Sequence, residues 1–216
     1  MHLGKLYSNF DSRCNSYHQR IVDIKTKEPM LREWEFNYKT EVLISDIWQG
    51  WCHFTRELLM SSCRGTTARN GNIIPKRAGD NTWQRLGYEA KQAANQANAS
   101  ANGHVNFAIR KEPTWGDLDN ISRIIGQLKP NNENYLVGVY GSFSQLKDLQ
   151  LVRNACAHKN VETLQTLMPL ASRYSFGVPE RATQVAWAKA LGSNDFAIEQ
   201  WLFEMNLIAD HATSSS

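Results

Sequence analysis

Hydrophobic residues recur at three- and four-residue intervals over long stretches of the chain, as in helices that bury one face. The clearest stretch, residues 31–63, predicts the longest helix of the protein. Its apolar positions are Ile44, Ile47, Trp48, Trp51, Phe54 and Leu58. Residues 8–27 show a shorter pattern of the same kind that stops near Pro29, because proline disrupts a helix interior. Two consecutive amphipathic helices favour an antiparallel bundle.

Helical patterns continue through the C-terminal half. Residues 114–128 carry apolar side chains at helical spacing between Pro113 and Pro130, which mark the boundaries of that helix. Further helices are predicted over residues 82–101, 143–158, 161–170 and 180–210, the last with Gly192-Ser193 as its candidate break. Residues 131–141 are interpreted as a connection that is polar and then briefly apolar. Since no useful strand-like alternation occurs, we predict an all-α fold.

The chain length suits one domain, because 216 residues can build one sizeable core but not two ordinary ones. We therefore predict a single helical domain over residues 1–210. Residues 211–216 end in three serines and are predicted to be a flexible tail.

Charge and cysteine content exclude several classes of protein. Twenty-four basic against 21 acidic side chains give a net charge of +3, too small for a protein that coats nucleic acid by charge alone. No apolar run is as long as a membrane span, and the first residues lack the apolar stretch of a secretory signal, so we expect a cytoplasmic protein without a membrane partner. The cysteines lack metal-ligand spacing, which favours unpaired structural thiols and predicts neither a metal site nor a cofactor. They are Cys14, Cys52, Cys63 and Cys156.

A basic loop separates the longest predicted helix from the next one. Residues 64–80 are rich in glycine and other turn formers, and Asn70-Gly71 could form a small hairpin turn. The basic residues of this loop meet no acidic residue before Asp80; they are Arg64, Arg69, Lys76 and Arg77. Two interpretations stay open: an ordinary solvated loop, or an arm that contacts RNA phosphates.

The predicted helix over residues 143–158 has two distinct stripes when it is projected at 100° per residue. The first is apolar and predicts the core face; it contains Leu146, Leu149, Val152 and Cys156. The second is mainly polar and contains Lys147, Leu151, Asn154 and His158. A polar stripe beside small residues is typical of a helix flank that lines a cleft or faces another subunit. Arg153 falls at the margin of the core stripe, where a guanidinium is costly to bury unless an anion meets it.

The motif Arg153-Asn154-Ala155-Cys156-Ala157-His158 resembles the signature of the HEPN superfamily, an arginine followed by Asn, Asp or His and then a histidine after four to six intervening residues. In that family the motif lies on a helix of a four- or five-helix bundle, and dimerisation joins two copies into one RNA-cleaving site. The resemblance implies a HEPN-like bundle of four to five core helices, with additional helices and an inserted basic loop. Only the motif helix and the turn before it, residues 139–143, carry the specific similarity.

These residue types suit metal-independent RNA cleavage, because RNA supplies its own nucleophile in the 2′-hydroxyl. Histidine exchanges protons near neutral pH, and an arginine fork holds a phosphate through two hydrogen bonds. We therefore assign His158 as acid or base, Arg153 as phosphate anchor and transition-state stabiliser, and Asn154 as a positioning residue. One motif supplies a single histidine, so a homodimer is expected to provide acid and base on opposite sides of the phosphorus. Lys147 and Lys159 are predicted to contact RNA beside the motif.

Three functional hypotheses follow. The first is an endoribonuclease that resembles the toxin and phage-defence members of the family, which usually occur with a neutralising antitoxin. The second is a catalytically silent HEPN module that binds RNA or nucleotides or scaffolds a complex. The third is an unrelated helical regulatory protein. The same Arg-to-His spacing also occurs at Arg13 and His18, without a polar residue directly after the arginine, and this copy is the weaker candidate.

Overall fold

A computed structural model describes residues 2–214. Its α-helices are α1 (Leu3–Lys27), α2 (Glu33–Arg64), α3 (Trp83–Ala94), α4 (Leu118–Leu128), α5 (Glu133–Gly141), α6 (Leu146–His158), α7 (Val161–Gln165), α8 (Ala182–Ala186) and α9 (Ala197–Ser214). Two-residue strands form two antiparallel pairs, β1 (Thr66–Thr67) with β2 (Ile73–Ile74) and β3 (Tyr174–Ser175) with β4 (Lys189–Ala190). The predicted all-α fold is confirmed.

The long helix α2 and the paired turn after it agree with the sequence. With 32 residues, α2 is the longest described helix, and β1 pairs with β2 across the Asn70-Gly71 turn, where Gly71 takes a positive φ. The helix α4 begins later than predicted, because the carboxylate of Asp117 accepts the N–H of Asp119 and caps the first turn.

Several predicted helix boundaries are wrong. Residues 133–141 form α5 instead of a connection, while α3 ends at Ala94, so residues 95–101 are not helical. The helix predicted over residues 180–210 divides into α8, strand β4 and α9. Strand β4 forms because Tyr174 pairs with Ala190, a contact between positions far apart in sequence that local periodicity does not register.

The predicted tail is helical over residues 211–214, the end of α9. The carbonyl of His211 accepts a hydrogen bond of 2.8 Å from the Tyr135 hydroxyl, and Thr213 is fully buried. These contacts explain why this part is ordered despite its polar sequence. Ser215 and Ser216, the rest of the predicted tail, lie outside the described residues.

The described chain divides into two compact units rather than packing as a single cluster of contacts. The first unit contains residues 2–10, 51–143 and 207–214. Its core includes a group of packed rings, Phe10, Trp51, Phe54 and Tyr140. The indole N–H of Trp51 donates to the carbonyl of Gly116 over 3.2 Å, and a Cβ on Gly116 would lie 2.7 Å from the indole. Glycine is therefore needed where this backbone meets the ring.

The second unit contains residues 11–50 and 144–206, and it carries the HEPN-like motif on α6. Its core combines the apolar face of α6 with side chains from α1, α2 and α9, including Ile21, Ile44, Ile47 and Trp201. Among residues 2–214, no helix is both long and apolar enough to cross a membrane.

Candidate functional site

The motif occupies the C-terminal two turns of α6. Arg153 and Asn154 are half-buried, and His158, the last residue of the helix, is exposed. The two predicted stripes are confirmed: Leu146, Leu149, Val152 and Cys156 are buried, whereas Lys147, Leu151, Asn154 and His158 are half-buried or exposed. Since Asn154 and His158 are four residues apart, they lie on the same side of the helix, one turn from each other.

A buried polar network holds the first half of α6 in place, and the sequence did not reveal it. Asp148 is completely buried and accepts hydrogen bonds from Arg173 Nη2 at 2.6 Å and from the Tyr174 hydroxyl at 2.9 Å. The same hydroxyl accepts from Trp201 Nε1 at 2.9 Å. Burial raises the pKa of Asp148, while the bond from Tyr174 and the charge of Arg173 oppose that rise. A charged residue between apolar positions of α6 was the only hint in the sequence.

The N-terminus of α6 is capped by Glu204, a residue that is distant in the sequence. Glu204 Oε1 accepts the N–H groups of Ser144 and Gln145, each over 3.2 Å. Burial raises the pKa of Glu204, and the backbone donors oppose that rise. The helix consequently starts at Leu146, three residues later than predicted.

The guanidinium of Arg153 has no carboxylate partner among residues 2–214. Within these residues, the guanidinium makes one hydrogen bond, from Nη1 to Oδ1 of Asn154 at 3.2 Å. This neutral amide leaves most of the guanidinium's five N–H donors without a protein acceptor. An ordinary ion pair within residues 2–214 therefore does not explain the position of Arg153 at the edge of the core. A half-buried guanidinium with unused donors can bind a phosphate by donating hydrogen bonds to its oxygens.

His158 and the residues after it form a tight exposed turn. The imidazole of His158 has no hydrogen-bond partner in the described chain. Lys159 takes a left-handed conformation with φ 49° and ends α6, and its ammonium lies 2.7 Å from Glu41 of α2. The side chain of Asn160 then accepts the N–H of Thr163 and caps α7. His158 is therefore held at the end of a fixed helix with its imidazole open to a ligand.

Cys156 lies inside the motif but does not join its chemistry. Burial raises the pKa of its thiol to about 12, so the thiolate that a nucleophile needs is scarce at neutral pH. All four cysteines are free thiols, and burial likewise raises the pKa of Cys14 and of Cys63 to about 12. Among the described residues, no three His, Cys, Asp or Glu side chains are grouped so that they could hold a metal ion.

The family resemblance rests on the motif and its helical setting. Comparisons with protein-family models, curated proteins and solved structures find no match to this chain. Membership of the HEPN superfamily accordingly stays a prediction. Three structural features of α6 bear on function: the exposed His158, the lack of a carboxylate partner for Arg153 among residues 2–214, and the buried hydrogen bonds of Asp148.

The weaker Arg-to-His copy lies on α1, where His18 borders a cleft of about 570 Å³. That cleft is poorly suited to a phosphodiester. Its lining includes two carboxylates, Asp195 and Glu199, and no lysine or arginine. Arg13 is exposed outside it.

Two of the basic loop residues are committed to internal contacts. Arg69 forms an ion pair with Asp210, donates to Ser214 Oγ at 2.9 Å and covers the ring of Tyr7. Arg77 is only 11% exposed in its side chain, and its Nη2 lies 2.8 Å from Glu89 Oε2 in an ion pair without hydrogen-bond alignment. If the loop is an arm that contacts RNA phosphates, Arg64 and Lys76 are therefore the loop cations left for that contact, and the contact itself stays a prediction.

The other predicted RNA contacts are accessible. Lys147 is exposed on α6, and Lys159 is 64% exposed in its side chain despite its pair with Glu41. Exposed pairs of this kind contribute about 0–1 kcal/mol, so a phosphate can replace the carboxylate at little cost. Arg64 and Lys76 lie in the other unit and line one pocket together.

Proposed function

We propose that the protein is a metal-independent endoribonuclease of the HEPN type, acting as a homodimer in the cytoplasm. The observation that carries this proposal is the state of Arg153. It is half-buried, it is held on a helix whose other half is locked by Asp148, and it meets no carboxylate in the described chain. A cation that is neither paired nor fully solvated favours an anionic ligand, and RNA supplies one at every nucleotide.

The proposed reaction needs no bound group beyond RNA. The 2′-hydroxyl oxygen attacks the adjacent phosphorus, so the O2′–P bond forms and the P–O5′ bond breaks. One histidine takes the 2′-hydroxyl proton and another gives a proton to the departing O5′, which leaves a cyclic phosphate and a 5′-hydroxyl. Arg153 binds the non-bridging oxygens, on which negative charge accumulates in the transition state.

A second chain is required by this arrangement, because base and acid lie on opposite sides of the phosphorus and each motif has one histidine. His158 is exposed at a helix end, where a two-fold axis can bring its symmetry mate to the other side of the substrate. Such an interface would also enclose Arg153, and the lower local dielectric would strengthen its attraction for phosphate.

The main experiment is RNA cleavage by purified protein in excess chelator. We expect wild-type protein to cut RNA and His158→Ala to lose about 10²- to 10⁴-fold in rate, the usual contribution of a general acid or base. His18→Ala is the matched control, since it removes an exposed histidine at the same spacing from an arginine. Equal losses in the two variants, or an activity that the chelator abolishes, would contradict the proposal.

Mixing wild-type and His158→Ala chains tests whether the site is composite. Equal amounts of the two chains are mixed, subunits are allowed to exchange at random, and activity is compared with that of the same total amount of wild-type protein. If the site needs both histidines, about one quarter of the activity should remain, because about one quarter of the dimers are purely wild type. If each chain has an independent site, about one half should remain. Retention of half would show that one chain suffices and would remove the need for a dimer.

Expression in a bacterial host connects the chemistry to a biological role. If the protein is a toxin or defence effector with a neutralising antitoxin, wild-type expression should stop growth and degrade RNA, while His158→Ala should do neither. Tight RNA binding with no cleavage by either protein would favour the second candidate, a silent RNA-binding module. Within residues 2–214 no side chain orients the imidazole of His158, and this observation favours the second candidate.

A further inference from the structure

We infer that Arg64 and Lys76 form a phosphate-binding site at the start of α3, separate from the motif on α6. The two residues border a pocket of about 380 Å³, together with Gly79, Asp80, Asn81 and Thr82. This volume is ample for a phosphate group with its first shell of contacts. The inference that RNA is the source of that phosphate rests on the proposed function, whereas the site itself does not.

The two cations are brought together by a close backbone crossing. Arg64 ends α2, and Lys76 follows β2, so the β1–β2 hairpin returns the chain to its starting point. Gly65 takes a φ of 83°, and a Cβ there would lie 2.9 Å from the backbone nitrogen of Lys76. Any other residue at position 65 would push the strands apart. The hydrogen bond from Arg77 N to Cys63 O, at 3.0 Å, fixes the same crossing.

In the described part of the chain, the side chains of Arg64 and Lys76 are not engaged by other protein groups. Within residues 2–214, Arg64 and Lys76 make no ion pair and no side-chain hydrogen bond, and both are exposed. The neighbouring arginines behave differently, since Arg69 and Arg77 are held by Asp210 and Glu89. Two cations of the loop therefore stabilise the structure of the protein itself, and the other two line one pocket.

The N-terminus of α3 adjoins the pocket, because Thr82, its N-cap residue, belongs to the lining. Thr82 caps α3, a helix of 12 residues, and its side chain accepts the N–H of Arg85. The first two N–H groups of that helix, from Trp83 and Gln84, have no acceptor in the described chain. They point out of the helix N-terminus beside Thr82, where an anion is favoured.

One acidic residue borders the pocket and must be counted. Asp80 Oδ1 accepts the N–H of Thr82 at 2.8 Å, and Oδ2 lies 3.2 Å from His104 Nε2. The Thr82 N–H lowers the pKa of Asp80, so this carboxylate is ionised at neutral pH. Asp80 brings one negative charge against the two positive charges of Arg64 and Lys76, so the lining of the pocket keeps a net positive charge.

The test titrates isotope-labelled full-length protein with inorganic phosphate at constant ionic strength and follows backbone amide signals. We expect saturable shifts at Trp83 and Gln84. An Arg64→Gln, Lys76→Gln double variant should lose at least about tenfold in affinity, because two charge-assisted hydrogen bonds disappear. Asp80→Asn should bind up to about fivefold more tightly, since it removes a negative charge and keeps an oxygen for the Thr82 N–H.

Arg110→Gln with Lys111→Gln is the matched control, an exposed arginine and lysine of the same unit outside the pocket. Its phosphate affinity should stay within about twofold of wild type. The inference is overturned if the double variant binds phosphate like wild type, if the control loses as much, or if the Trp83 and Gln84 signals do not move. Thermal unfolding of each variant checks that the fold is intact.

A single-stranded oligoribonucleotide distinguishes the two sources of phosphate. The experiment uses His158→Ala protein so that the RNA stays intact. Loss of both cations should make the fall of log affinity with log salt less steep, by about 0.7 in slope for each lost contact. Unchanged RNA binding with weakened phosphate binding assigns the site to a small phosphorylated molecule. Cleavage by the wild-type chain is scored separately, so either proposal can fail while the other stands.

Discussion

The charged residues in the two halves of α6 differ in the partners that the protein provides for them. In the first half, Asp148 is fully buried and every partner is supplied by the protein, from Arg173 and from the Tyr174 hydroxyl. In the second half, Arg153 is half-buried with one neutral contact, and His158 has none in the described chain. The hydrogen-bonding groups of the first half are satisfied within the folded chain, whereas the guanidinium of the second half has no carboxylate partner among residues 2–214.

This contrast separates residues that hold the fold from residues available for function. Arg56 gives a second reference point, because it is also partly buried but forms two hydrogen bonds to Glu112, at 2.6 and 2.9 Å. Structural guanidinium groups in this protein thus come with a carboxylate. Arg153 does not, and the difference is the reason to look for its anion outside the chain.

Arg153→Ala should have the largest effect, a strong loss of RNA cleavage with little change in stability. Loss of the phosphate anchor should reduce RNA cleavage by about 10²-fold or more, as removal of one stabilising donor does elsewhere. The free energy of unfolding should change by less than about 1 kcal/mol, since the side chain has no ion pair to lose. Cleavage rates and chemical denaturation measure the two effects. A large loss of stability would place Arg153 with the structural residues.

Asp148→Ala should show the reverse behaviour. It removes the acceptor of a buried tyrosine hydroxyl and the partner of Arg173, so we expect a loss of about 3 kcal/mol in the free energy of unfolding. Glu162→Ala, an exposed acid on α7, is the control and should change stability by about 0.5 kcal/mol or less. If the two variants unfold at the same denaturant concentration, the network does not anchor α6.

The pH dependence of stability sharpens the account of Asp148. Burial raises its pKa in the folded state above the ordinary value of 3.8, so its stabilising contribution is fully present below that value and is lost as pH rises through the raised pKa. Asp148→Asn cannot ionise. The difference in unfolding free energy, variant minus wild type, should therefore increase as pH rises above 3.8. A difference that falls over this range contradicts a raised pKa.

Lys159→Gln should have the smallest effect. It breaks an exposed pair with Glu41 and should lower stability by about 0–1 kcal/mol. RNA affinity should fall severalfold, and the effect should weaken as salt increases, because one phosphate contact is lost at the edge of the site. Filter binding at several salt concentrations measures this. Insensitivity of RNA affinity to the substitution would confine Lys159 to its contact with Glu41.

Local sequence patterns identified most of the helices and the motif. The apolar spacing of α2 and the two stripes of α6 are repeated over several turns, and such repetition depends only on neighbouring residues. For the same reason the sequence indicated that Arg153 lies at the edge of the core and that Asn154 and His158 share an accessible side. Helix α5 was missed because its short apolar run, Tyr135-Leu136-Val137, is too brief to show a period.

Only the tertiary structure decided which charged residues are paired. Arg69 finds Asp210, and Arg173 finds Asp148, through contacts between elements that are distant in the chain. The division of loop cations into two that are held and two that are free follows from those contacts. Helical periodicity depends on residues that are close in the sequence, so the sequence by itself determined the helices. Charge pairing depends on proximity within a few ångströms in three dimensions, so only the fold determined which arginines remain without a carboxylate.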